Sequence, residues 1–177
     1  ADNHDRIKDL SDAITSMAEK AENKAFELIA RFQPVASDLR VIKSYMKISN
    51  DFARYGRYAL DISYICKRMG SLNKCESWIS DYIGKMSEKV LEMVHTSINA
   101  LKNHNVELAR SISNIEKEVD EFYFRFLDEL VKKALTTNKC TIASVLVVRY
   151  LERIADHAVY VCESLIFVVS GEYISLG

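Results

Sequence analysis

The sequence predicts an all-α protein, an up-and-down antiparallel helical bundle. Three observations lead there. Apolar residues recur every three or four positions through most of the chain, the period of one buried helix face. Breaks in that pattern are few, with one proline and five glycines in 177 residues. Hydrophobic residues make up 49% and charged residues 28% of the chain, enough for a sizeable core and unlike a disordered segment.

The first helix is expected over residues 5–32, from the stripe Leu10, Ile14, Met17, Ala21, Ala25 and Leu28. Pro34 lacks a backbone donor and restricts Gln33, so this helix stops and a second begins, with Ser37 or Asp38 in its first turn. The second runs to Met69, before the break Gly70-Ser71-Leu72-Asn73. A third follows from Glu76, with Ile79, Ile83, Met86, Val90, Met93, Ser97 and Leu101 on one face, and ends at Asn103-His104-Asn105. The fourth carries Ile112, Ile115, Val119, Phe122, Phe126 and Leu130 and runs to Leu135. Thr136-Thr137-Asn138 supplies a turn and a cap for the fifth, which reaches Ser170 and stops at Gly171. Each helix is roughly 40 to 50 Å long, and short turns between long helices give antiparallel neighbours.

A net charge of -1 provides no global attraction to nucleic acid or to anionic membrane. The run SLIFVVSG is too short to span a bilayer, and ADNHDRIKDL has no apolar signal core, so no membrane insertion is expected. Cys66, Cys75, Cys140 and Cys162 contain no C-x-x-C pair and read as reduced thiols packed as small hydrophobes, which points to the cytoplasm. No glycine-rich phosphate loop, nucleophile elbow or Ser/His/Asp set is visible.

A weak internal repeat relates DFARYGRYALDIS to YLERIADHAVYVC, sharing Arg54 with Arg153 and Ala59 with Ala158. It divides the chain into a first unit of two helices, 1–70, and a second of three, 74–172. Two helices leave part of an apolar face open, to be covered by a helix before Ala1 or by another chain, a homo-oligomer included.

The chemistry rests on carboxylates. Glu152 and Asp156 stand four apart on the fifth helix, each one residue after the buried stripe at Leu151 and Ala155. Glu116 and Asp120 repeat the arrangement beside Ile115 and Val119 on the fourth. If the two helices are antiparallel neighbours, the pairs face each other. Carboxylates about 5 Å apart repel by roughly 3 kcal/mol at an effective dielectric near 20. Such a cluster raises its own pKa values, recruits Lys or Arg, or holds a cation suited to oxygen ligands. The plain alternative is a set of solvated helix charges, with Glu152 near Arg149 and Glu116 near Lys117.

Other signals carry less. Glu92 and His95 form a single E-x-x-H, where a di-iron bundle needs two. His157 beside Asp156 reads as a surface histidine rather than a ligand, because adjacent helical side chains point about 100° apart. Tyr45, Tyr55, Tyr58, Tyr64 and Trp78 read as fillers between helices.

The stretch RFQPVASDLRVIKSYMKISNDFARYG at 31–56 resembles the PhoU pattern, in which a QPVASDLR turn enters a helix carrying KIS-x-D-L-E-R-I-G-D. EKEVDEFY and RYLERIADHAVYVCESLIFVVSGE resemble the second PhoU repeat, and the likeness runs from about residue 8 to 172. The resemblance implies two similar three-helix bundles, here without the first helix. It also implies a regulatory, non-catalytic role: restraint of phosphate uptake by an ABC transporter and its coupling to a sensor kinase.

Some members bind metals through paired E/D-x-x-x-D motifs, one set per repeat. Carried over, the second set falls on Glu116, Asp120, Glu152 and Asp156. This implies iron or zinc, singly or as a multinuclear centre, or a site left empty. The first set falls on Ser11, Thr15, Ala53 and Arg57, none of them a carboxylate, so one metal site at most is expected. Two other readings are a PhoU-like module of a larger transcription or transport regulator, and a carboxylate-bridged metalloenzyme.

Overall fold

In the computed structural model, which describes residues 3–70, 72, 75–133 and 138–177, the described residues form five helices and no strand. They are α1 (Asn3–Phe32), α2 (Ala36–Met69), α3 (Ser77–Asn103), α4 (Val106–Lys132) and α5 (Lys139–Ser170). The expected Leu135 end of the fourth helix, the Thr136-Thr137 turn, and Ser71 and Asn73 of the central break lie outside the described residues. Ala1 lies outside them as well.

Helix ends follow local chemistry. The Asn105 and Asn138 side chains accept the backbone N–H groups of Leu108 and Thr141, at 2.9 and 3.0 Å, and cap α4 and α5. Gly171 closes α5 in the left-handed conformation, φ 78°, with its N–H on the carbonyl of Phe167. Between α1 and α2, Gln33 adopts φ 47° before Pro34, so the reversal is made without a glycine.

α5 is the centre of the bundle. It packs against α2, α3 and α4, while α1 packs against α2. The stripes of α3 and α4 are buried as their spacing predicts, with Met86, Met93, Ile112 and Phe126 sealed from solvent. α5 buries a wider surface, including Leu151, Ile154, Ala155, Ala158 and Val161, because it has neighbours on several sides.

The stripe of α1 behaves differently. Ala25 is buried, but Leu10 and Met17 are 55% and 68% exposed. α2 covers only one side of α1, so half of its apolar face looks outward. The two helices approach closely at Gly56, where a side-chain carbon would stand 3.2 Å from the Cα of Ser11.

Three expectations need correction. Cys75 and Cys140 are not reduced thiols: they form a disulfide, with Cα atoms 5.7 Å apart, within bridging range. The fold brings Cys75, two residues before α3, to the first turn of α5, a meeting that no local pattern announces. Cys66 and Cys162 are free. His157 is not on the surface, as only 8% of it is exposed. Tyr45 and Tyr64 are not fillers. They are exposed and bonded to His104 and Arg68, whereas Tyr55, Tyr58 and Trp78 pack against the core.

Candidate functional site

The contact between α4 and α5 brings the two acidic pairs together. All four carboxylates are half-buried, as expected for residues one step off a buried stripe. Glu116 experiences the charges of Asp120 and Asp156, and Glu152 those of Asp156 and Asp120. The pairing is crosswise, early residue of one helix with late residue of the other, as antiparallel packing requires.

Burial and repulsion raise the pKa values. Desolvation, then Asp120 by charge and by hydrogen bond, then Asp156, push Glu116 up to about 7. Glu152 is raised by burial and by Asp156. Asp156 is raised by burial, against the opposing pull of Arg153 and Arg149.

Two arginines on α5 offset the repulsion within that helix. Arg149 Nη1 donates to Glu152 Oε2 at 2.6 Å, and Arg153 Nη1 to Asp156 Oδ2 at 2.9 Å. Each pair is spaced i, i+3, on the same helical face. Arg153 is also within electrostatic reach of Tyr58 of α2, which links the carboxylate site to the first half of the chain.

The donor set suits a hard, oxygen-seeking cation in kind. As placed, it does not fit one. Among the described residues no group of three or more His, Cys, Asp or Glu side chains converges closely enough to hold a metal ion. The arginines supply the positive charge that a metal would supply.

The corresponding places in the first half hold no carboxylate. Ser11 is buried, Thr15 bonds back to the Ser11 carbonyl at 2.9 Å, and Arg57 is exposed. Glu92 pairs with Lys89 at 3.5 Å and His95 is exposed, so the single E-x-x-H faces outward.

One constellation was not foreseen. His157 Nδ1 and Asp51 Oδ1 are 2.7 Å apart and buried between α5 and α2. Tyr58 and Tyr160 flank the imidazole, with ring centres 5.7 and 5.3 Å away. The signal was present in the spacing. His157 follows Ile154 by three and precedes Val161 by four, and Asp51 holds the same relation to Ile48 and Tyr55.

Comparison with known proteins places this geometry. The model of the PhoU domain matches residues 2–66 and 83–165. A phosphate-specific transport system accessory protein PhoU homolog of Clostridium acetobutylicum is 34% identical over 170 residues, covering 93% of this chain and 76% of that protein. Its Pseudomonas aeruginosa counterpart is 31% identical over 174 residues, covering 94% and 69%. The crystal structure of PhoU from Pseudomonas aeruginosa superposes with a TM-score of 0.81 at 28% identity, over 96% of this chain and 82% of that one. The phosphate transport system regulatory protein PhoU of Streptococcus pneumoniae shares the fold, with a TM-score of 0.84 at 23% identity over 97% and 81% of the two chains.

Proposed function

The chain belongs to the PhoU family, and from that membership we propose that it is a non-enzymatic regulator of phosphate uptake and phosphate-dependent signalling. It acts by protein contacts, on components of a phosphate ABC transporter and on a sensor kinase, from the cytoplasmic side. The observation that carries this reading is the likeness over 170 residues to a protein named for its accessory place in phosphate-specific transport. No described helix is long and apolar enough to cross a membrane. The working units are the two repeats, 1–70 and 74–172.

The test is genetic and physical. Removing the gene from its host raises phosphate accumulation in phosphate-rich medium, and the tagged protein co-purifies with a transporter subunit. Unchanged uptake together with no transporter subunit in the purified complex would overturn the reading.

Cation binding by Glu116, Asp120, Glu152 and Asp156 is a second proposal, favoured by the meeting of two acidic pairs across α4 and α5, where burial first and then the charges of Asp120 and Asp156 raise Glu116 to about 7. It requires Glu152 and Asp156 to turn away from Arg149 and Arg153. Elemental mass spectrometry of untagged protein, purified without chelator, decides it. Stoichiometric iron, zinc or manganese that disappears in Glu152→Ala/Asp156→Ala supports the site; metal-free wild-type protein ends the proposal.

A further inference from the structure

Beyond α5 the chain does not run off into solvent. Gly171 turns it back, and a side chain at that position would strike the Arg40 guanidinium. Tyr173 then stacks on Phe167, ring centres 3.9 Å apart, and its hydroxyl accepts from Lys43 Nζ at 3.2 Å. The N–H of Leu176 donates to Glu163 Oε1 at 3.0 Å, and Ile174 and Leu176 rest against the core. The segment retraces α5 and reaches the carboxylate site. Ser175 and Gly177 line a cleft of about 310 Å³ with Glu116, Asp156, Tyr160 and Glu163, and Gly177 lies against the Glu116 carboxylate.

We propose that residues 172–177 are a releasable strap that gates the Glu116 and Asp156 side of the carboxylate site. Its attachment is of the kind that opens locally. The strap has no helix or strand bonding of its own, and Tyr173 remains 74% exposed while stacked. Docked, it lies against the half-buried Glu116 and covers part of its approach; released, it exposes Glu116, Asp156 and Glu163 further to solvent and to any ligand. The proposal rests on the placement of the strap and holds whether or not a metal is the ligand.

The test is the rate at which a water-soluble carbodiimide and an amine label individual carboxylates, mapped by peptide mass spectrometry. It compares the full chain with its Tyr173→Ala/Leu176→Ala variant at one pH and in the presence of chelator. Glu116 and Asp156 should be labelled several-fold faster in the variant, while Glu88 and Glu107, exposed elsewhere on the bundle, keep their wild-type rates. Unchanged rates at Glu116 and Asp156 would overturn the strap. So would an equal rise at Glu88 and Glu107, which would mean general loosening.

Discussion

His157 of α5 and Asp51 of α2 form a buried pair, 2.7 Å from Nδ1 to Oδ1, across the contact that joins the two halves of the molecule. The outer atoms of both, His157 Nε2 and Asp51 Oδ2, are buried without a protein partner. Each residue's own bond is therefore the main offset to its desolvation. Asp51→Ala and His157→Ala should each lower stability by about 2 kcal/mol, because each strands the other side chain in the core. The double variant should cost clearly less than the sum. Urea unfolding of the three variants tests this, and additive losses would show that the pair is not coupled.

Much of the fold can be read from spacing alone, and the failures have a common cause. α3, α4 and α5 each face neighbours, so most of each apolar stripe is buried, with Leu101, Ile115 and Phe122 partly so. Leu10 and Met17 belong to as regular a stripe and are exposed, because periodicity shows which face is apolar and not what covers it. The flanking position of the four carboxylates is legible in the spacing, and in the fold they are partly buried and feel one another's charge across α4 and α5. Their compensation is only half legible: the spacing sets Arg149 beside Glu152, while the bond from Arg153 to Asp156 emerges in the fold. Asp51 and His157 stand in phase with the buried stripes of α2 and α5, but spacing within one helix does not show which polar residue of another helix will meet it. The Cys75–Cys140 bridge depends on two links meeting in space, with 65 residues between them.

Glu116 gives the metal-free protein a defined pH dependence. Its pKa is raised from 4.5 to about 7, so the folded state holds the proton more tightly than the unfolded state. The resulting stabilisation is complete below pH 4.5 and is lost as pH rises through 7. Because Glu116 is only half-buried, solvent screening reduces the contribution to about 1 kcal/mol. With chelator present, the wild type should lose more urea resistance between pH 5 and 7.5 than Glu116→Gln does. Equal losses in the two proteins would refute the assignment.

The cysteines make a prediction that is a count. Unfolded without reductant, the protein should present two reactive thiols, Cys66 and Cys162, and after reduction four. In the folded state both free thiols should react slowly at pH 7.5, since burial raises Cys66 and pushes Cys162 up to about 12. Replacing Cys75 and Cys140 by serine should cost on the order of 2–4 kcal/mol, as expected for a bridge that closes a long loop. Four thiols in unreduced protein would show the bridge to be absent.

The turn between α1 and α2 offers a gain rather than a loss. Gln33 holds φ 47°, a left-handed conformation in which the Cβ of an L residue crowds the following carbonyl. Its N–H still closes α1 on the Ile29 carbonyl at 3.0 Å, so the position works as a helix stop without the residue that suits it. Gln33→Gly relieves the crowding and gives back part of the benefit, because glycine gains freedom in the unfolded chain. The balance should be a stabilisation of about 0.5–1 kcal/mol, read as a rise in Tm of about 1–3 °C. Gln33→Val should lower Tm, since a branched Cβ crowds the carbonyl further. If glycine and valine shift Tm in the same direction, the residue is not held left-handed, and the reversal at Pro34 is made by other means.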